Sequence, residues 1–558
     1  MKTIQTMKTM KQLKKAALLG LGGCGLLLLS CNDWLHEPQP AQTGEGDFFL
    51  TGGGNAAIQI VNGAYVPLQW EYGITYSPEW WIGDVASDDA LKGGQNLSDM
   101  AAAYDIENFK TQTNNPILLD WYQSNFLGIA RCNLALEEVP GVAPDDAMDD
   151  ALKQRLIGEL KFLRALYYFR LVRVFGSVPL VTFSIKSSAN WSQPAATPDA
   201  IYTQIVADLE DANGRLWLRS RTYADPAETG RATKGAAQAL LMKAHLYRHD
   251  YPAAKAWGDS MMAAAGEYAL EARYADNFSI LNENGVESVF EVQYAEEGTS
   301  DYGGFSPHFG ATRGTFSTIL TRSRSGRVPA WNDGASEGWG FNRPAQDLYD
   351  EYEAGDPRRE ATIINMPDSL ITIPEEEIYL GSRFLSRKYA IMDDDFNSLW
   401  DGHVTRAPIN IKLIRYADVL LLYAEACVET NNIPAAKDAL EQVRARARRE
   451  SDDPARSLPS FPHYDNRKTG APYVDNADGL REAIRHERRV ELAMESHRWF
   501  DLCRWGIVKE TMDAYKAKES PAAKAEMATF VEGKHELFPL PQAELDLNPA
   551  MEQNPAWK

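Results

Sequence analysis

Two short segments, DYPAAKAW (250–257) and NIPAAKDAL (432–440), repeat one pattern: a polar residue, an apolar residue, proline, then Ala-Ala-Lys. Each follows an apolar run, QALLMKAHLY in the first case and VLLLYAEACV in the second, and each opens another helix-like stretch. Proline is tolerated in the first turn of a helix, where its missing N–H costs nothing. The pattern therefore predicts helix, turn, helix, twice. Neither helix of such a pair can bury its own apolar face, so neighbouring pairs must stack. This requirement restricts the chain to a mostly α-helical fold with a continuous scaffold of paired helices.

Helical periodicity elsewhere agrees. Leu152, Leu156, Leu160, Leu163, Tyr167, Leu171 and Val174 form one apolar stripe across 151–175. Further helical blocks are expected at 117–139, 198–217, 233–249, 253–265, 415–430, 435–449, 480–496 and 499–515. Thr233 is placed to cap its block, and Gly235, Ala236, Ala237 and Ala239 after it permit close helix approach. The repeated unit resembles a tetratricopeptide helix pair. Between its two copies the texture changes. Residues 268–406 are rich in glycine, aromatics, serine and aspartate, with strand-like pieces such as SVFEVQY (288–294). A long irregular insertion on a helical frame is where binding residues tend to sit.

The N-terminus has its own logic. Lys2, Lys8, Lys11, Lys14 and Lys15 precede an apolar or glycine run from Ala16 to Leu29. That run suits a secretory signal and is too short for a bilayer, which takes about 20 residues. Leu28-Leu29-Ser30-Cys31 resembles a bacterial lipobox, which implies cleavage before Cys31 and acylation of that residue. Cys24 is a rival position, but cutting there leaves four leucines at the new terminus. The Pro/Gly/Gln-rich stretch that follows, to Gly46, reads as a flexible tether. Two or more acyl chains hold a protein firmly at a membrane, so the chain is expected to be lipid-anchored without spanning.

The formal net charge of −21, and −26 once the five leader lysines are removed, excludes nucleic acid as a partner, since phosphate contacts need a basic face. Past Cys31 only Cys132, Cys427 and Cys503 remain, each in an apolar helical setting. They form neither a disulfide framework nor a zinc site and are expected as buried thiols.

Seven stretches, taken in order, resemble the SusD/RagB family of Bacteroidetes outer-membrane nutrient-binding lipoproteins. They include FFLTGGGNAAIQIVNGAYVPL, GELKFLRALYYFRLVRVFGSVPLV, TKGAAQALLMKAHLY, GFNRPAQDLYDEYEAGDPRR, IRYADVLLLYAEA, IRHERRVELAMESHRWFDLCRWG and LFPLPQAELDLNPAMEQNPAW. The resemblance implies four tetratricopeptide-like helix pairs with an irregular ligand-facing lobe. It also implies a cell-surface glycan receptor working above a TonB-dependent transporter of the SusC type. The chain then divides into a signal peptide (1–30), a tether (31–46), an N-terminal helical region (47–267), the loop-rich insertion (268–406) and a C-terminal helical region with tail (407–558). One departure stands out: only Asp33 and Glu37 are acidic in the short window after Cys31, where the resemblance implies an acidic surface-export signal.

Sugars present apolar C–H faces ringed by hydroxyls, so flat aromatic rings beside Asn, Gln, Asp and Arg suit them. Two segments have that composition. SPEWWIGDVASDDALKGGQNLSD (77–99) offers Trp80, Trp81, Asp88, Asp89 and Asn96, with one of the paired tryptophans expected to be buried. The insertion offers Tyr302, Trp331 and Trp339, of which Trp339 lies in a framework-like stretch. RHERRVELAMESHRWFDLCRW balances Arg485, Arg488, Arg489, Arg498 and Arg504 against Glu487, Glu491 and Glu495, which points to ion pairs tying helices together. No HExxH, GxSxG, Walker or GxGxxG site occurs in a suitable context, and no catalytic residue or metal ligand is nominated. No cofactor is expected; Asp393-Asp394-Asp395-Phe396-Asn397 spaces oxygens as a calcium loop does but lacks the glycine and closing glutamate of an EF-hand. A glycoside hydrolase on a helical scaffold and a receptor for a peptide are the alternatives to a non-catalytic glycan receptor.

Overall fold

Helix α1 (Glu45–Tyr65), kinked at Gly53, starts inside the stretch expected as a tether. The structure is a computed structural model, and it describes residues 45–264, 266–295, 314–324, 338–371, 382–391, 407–451 and 458–558. The other main helices follow the expected blocks, except the short α2, which no block anticipated. They are α2 (Ala101–Glu107), α3 (Pro116–Glu138), α4 (Asp150–Phe175), α5 (Pro198–Arg215), α6 (Lys234–Tyr247), α7 (Tyr251–Ala263), α8 (Tyr416–Glu429), α9 (Ile433–Glu450), α10 (Ala477–Glu491), α11 (Arg498–Trp505) and α12 (Val508–Lys518).

Their starts are chemically specified. Asn115, Asp149, Thr197, Thr233 and Asp250 each accept a backbone N–H of the first turn of the following helix. The sequence echo is a structural echo. His249 and Asn431 both turn through the left-handed region, at φ 57° and 59°. The next N–H then folds back onto the preceding helix, Asp250 to His245 O at 2.9 Å and Asn432 to Cys427 O at 2.7 Å.

The helices pack as a series: α3 on α4, α4 on α5, α5 on α6, α6 on α7, α7 on α8, and α8 on α9 and α10. The α7–α8 seam joins helices separated by the whole insertion, so the insertion leaves the stack and returns to it. Gly258 makes that seam possible, because a Cβ there would lie 2.3 Å from the Tyr423 ring.

One expected block is divided and another ends early. The 499–515 block divides into α11 and α12 because Gly506 adopts a left-handed C-cap at φ 68°. The 480–496 block stops at Glu491, where Tyr274 Oη and Arg415 Nη2 donate to its carbonyl at 2.8 and 3.0 Å.

Strands occur only in pairs among the described residues: β1 (Ala90–Gly93) with β5 (Phe341–Pro344), β2 (Val178–Pro179) with β3 (Ala195–Ala196), β4 (Ser288–Val292) with β8 (Ile411–Arg415), and β6 (Ile363–Asn365) with β7 (Phe384–Ser386). The expected strand in SVFEVQY is β4. Cys132 and Cys427 are buried thiols as expected, and Cys503 is half-buried. No helix among the described residues is long and apolar enough to cross a membrane.

The arginine-rich stretch of α10 and α11 is the inner weld of the molecule. Arg358, fully buried, reaches Glu487 at 2.6 Å, Glu491 at 3.0 Å and Asp356 at 2.8 Å. Arg444 joins Glu487 at 2.7 Å, Arg446 joins Glu491 at 2.5 Å, and Arg488 joins Asp418 and Asp501 at 2.8 and 2.9 Å. Burial disfavours the charge on Glu491, but the facing Arg446, Arg415 and Arg358 outweigh it and hold its carboxyl far below the usual range. Compensation runs between elements, as a buried charge requires.

Candidate functional site

The turn at WEYGITYS (70–77) carries two half-buried rings, Tyr72 and Tyr76, with Ile74 between them 62% exposed. Buried carboxylates grip this turn from two sides. Asp120 on α3 accepts the N–H groups of Ile74 and Thr75, both at 2.9 Å. Glu71 accepts Phe316 N–H at 2.6 Å and the hydroxyls of Thr315 and Ser317 at 2.7 Å each. Burial lifts the Asp120 carboxyl to about 6 even against the backbone bonds it receives, and burial raises Glu71 as well.

Trp339, half-buried, meets Tyr76 edge-on at 4.9 Å and 86°, and Phe316 packs on Tyr76 at 5.3 Å. The turn after β1 lies beside them, since Gly94 N–H donates to Gly340 O at 3.0 Å. Lys92 pins that turn by donating to the carbonyls of Gly93 (2.7 Å), Asn96 (3.1 Å) and Asp99 (2.8 Å). The result is a shelf of three partly open rings, Tyr72, Tyr76 and Trp339, beside a polar turn. Residues 314–324 and 338–344, which supply Phe316 and Trp339, flank the remaining insertion segments.

The residues nominated from the sequence divide sharply. Trp80 and Trp81 are both sealed in the core, at 2% and 0% exposure, which corrects their assignment as ligand contacts. Trp81 opens a single π-helical turn, Trp81–Val85, with Trp80 at its N-cap, and both rings face inward. Their N–H groups are spent internally: Trp80 Nε1 donates to Ser317 Oγ and Trp81 Nε1 to Tyr76 O, each at 3.1 Å. Asp88 and Asp89 are likewise buried and corrected. Asp88 forks onto Arg498 at 2.7 and 2.8 Å, and Asp89 meets Arg489 at 2.8 Å. Asn96 is exposed, but its Oδ1 is occupied by the Ser98 and Asp99 N–H groups at 3.0 Å. Trp339 alone of the nominated described rings keeps an open part. Tyr302, Trp331, Cys31 and the 393–397 run lie outside the described residues.

Tyr72 and Tyr76 escaped the sequence reading. They sit just before the Trp pair, whose large apolar rings drew the attention. The signal that could have found them is Gly73 with the apolar Ile74 in a turn, which leaves adjacent side chains little interior to enter. Among the described residues no group of three His, Cys, Asp or Glu could hold a metal.

Stacked helix pairs carrying aromatic loops define a binding scaffold. A family model described as "SusD family" matches residues 384–557, and one described as "Starch-binding associating with outer membrane" matches 59–246. The chain belongs to the SusD family. SusD-like protein P2 of Formosa agariphila is 24% identical over 551 residues, covering 95% of this chain and 98% of the relative. A solved structure of a laminarin binding SusD-like protein superposes with a TM-score of 0.72 at 28% identity, covering 89% of this chain and 98% of the other. Surface glycan-binding protein A from Bacteroides thetaiotaomicron in complex with laminarihexaose shares the fold, with a TM-score of 0.72 at 23% identity over 89% of this chain and 98% of that one.

Proposed function

We propose that this protein is a non-catalytic, lipid-anchored receptor that captures oligo- or polysaccharide at the outer face of an outer membrane and passes it to a SusC-like TonB-dependent transporter. The observation that carries the reading is the shelf of Tyr72, Tyr76 and Trp339, three partly open rings fixed on a rigid helical stack. Sugar C–H faces pack on such rings, and the polar turn at 93–99 supplies hydrogen-bond partners beside them. The full-length likeness to a laminarin binding relative supports a glucan ligand. In this reading the 268–406 lobe faces the ligand, the helical regions on either side carry it, and Cys31 holds the anchor.

The test is native gel retardation of the purified protein in laminarin, starch and a panel of further polysaccharides, with reducing ends assayed alongside. Retardation in at least one gel without product is the expected result. Release of reducing ends would make the chain a hydrolase, and absence of retardation in every gel would overturn the glycan reading.

A further inference from the structure

Trp191 is 71% exposed on the loop between β2 and β3. Three other indoles near the surface carry a cation over the ring. Arg155 and Arg221 lie over Trp217 at 4.7 and 3.7 Å, Arg504 and Arg485 over Trp505 at 4.8 and 5.1 Å, and Lys534 over Trp557 at 4.3 Å. Among the described residues no ring or cation packs on Trp191.

The loop that displays this ring is fixed. The β2–β3 pairing closes its neck, Val178 against Ala196 and Pro179 against Ala195. A 3₁₀ turn, Ser188–Asn190, leads into the indole, and Trp191 N–H donates to Ser188 O at 3.3 Å. The far side is stitched to the C-terminal segment. Ser192 Oγ donates to Asn548 Oδ1 at 2.8 Å, and Asn548 Nδ2 donates to Gln193 O at 2.8 Å. Leu547, 78% exposed, precedes that clamp. The chain thus spends three tertiary attachments on holding an uncovered indole in solvent.

The surroundings indicate what would cover it. From Ser187 to Thr197 the sequence SSANWSQPAAT has no charged residue, in a protein of net charge −21. Hydroxyls and amides around one flat ring match the rim and face of a neutral sugar. The ring loses little conformational entropy on binding, because its loop is already ordered.

We propose that Trp191 is a second glycan platform, separate from the aromatic shelf, which holds neutral polysaccharide on the protein surface. This inference rests on the glycan-receptor reading. Two sites on one polymer act with a raised effective concentration, so the platform contributes avidity for long chains.

The test uses laminarin gels and the full protein labelled with 5-fluorotryptophan. The Trp191 resonance is identified by its loss in Trp191→Phe. Laminarin is expected to shift that resonance, and Trp191→Ala should weaken retardation about tenfold. A Tyr76→Ala/Trp339→Ala variant should keep a residual retardation that adding Trp191→Ala removes. The platform is overturned if wild-type protein is retarded while Trp191→Ala matches it and the resonance stays still. A changed sedimentation coefficient in Trp191→Ala with unaltered retardation would also overturn it, making the patch a protein contact. No retardation of wild type in laminarin or any other panel gel would instead bring down the glycan reading and the platform together.

Discussion

Arg489 and Asp89 lie 400 residues apart in the chain, and the guanidinium Nε meets the carboxylate at 2.8 Å. The same Arg489 holds Asp88 at 2.9 Å, Asp347 at 3.0 Å and Glu351 at 3.3 Å. One cation on α10 thereby ties together the N-terminal segment behind the shelf and the element that follows β5. Removing it leaves buried Asp89 without its close countercharge, since Arg498 lies 3.8 Å away, and weakens the pairing of the other three. Arg489→Leu is expected to cost about 3–5 kcal/mol in chemical denaturation. Lys509→Ala, which deletes an exposed pair with Asp513 one helical turn away, should leave the denaturation midpoint in place.

Stability should decline as pH rises from about 4 to 9, for identifiable reasons. Burial opposes the charge on His486, but hydrogen bonds with Glu351 and Glu353 and their charges outweigh it and raise its pKa to about 9. A raised folded pKa stabilises fully below the unfolded value of about 6.5 and is lost as pH climbs to 9. Asp84 acts in the same direction. Burial, reinforced by the charge of Asp89, lifts it to about 8, so its contribution fades between its unfolded value near 4 and pH 8. Asp84→Asn should flatten the curve of melting temperature against pH across that window. A curve of unchanged slope would contradict the assignment.

The acid side carries the opposite sign. Burial works against the charges of Glu351, Glu353 and Glu495, yet hydrogen bonds and charges from His486, Arg489, Arg444, Arg415 and Lys388 hold all three at about 2. Their stabilisation is complete above the unfolded value near 4.3 and disappears as pH falls toward 2. Melting temperature should drop through this interval, and the drop should be smaller in Glu495→Gln than in wild type.

Trp80 separates a core role from a ligand role. Trp80→Phe keeps most of the buried ring and drops the bond to Ser317, costing about 1 kcal/mol. Trp80→Ala opens a cavity worth about 3–5 kcal/mol. Polysaccharide retardation by Trp80→Phe should equal that of wild type; reduced retardation at unchanged stability would restore Trp80 as a contact. Gly83→Ala, whose Cβ would come within 2.4 Å of Ser496 Cα, should destabilise without touching the shelf.

Much of the frame was legible in the sequence. Apolar stripes and the repeated proline turn specify helices, because helix period and capping chemistry act over a few residues. The Trp80–Trp81 pair shows where that reading stops. A ring's sequence context does not encode whether it faces inward at a π-helical turn, and Asp88 and Asp89 look like open loop carboxylates until Arg489 and Arg498 arrive from the far end of the chain. Tyr72 and Tyr76 belong to the shelf because α3 and the insertion meet around their turn, an arrangement that only long-range packing creates. The ion pairs of α10 were foreseeable in kind from their balanced signs, but their partners Asp418, Asp501 and Arg358 lie on other elements.

Lipid attachment has a direct readout. Cys31→Ser should move the protein from the envelope fraction to the soluble fraction, while Cys24→Ser leaves it attached. Envelope retention of the Cys31→Ser protein would contradict anchoring at that residue.

Calorimetric titration of the Tyr76→Ala/Trp339→Ala variant tests the shelf most directly, with the glycan oligosaccharide that wild type binds tightest. Two lost ring contacts should weaken Kd about tenfold or more, with the melting temperature still close to that of wild type. A folded variant that binds as tightly as wild type would contradict the assignment of these rings to the binding site.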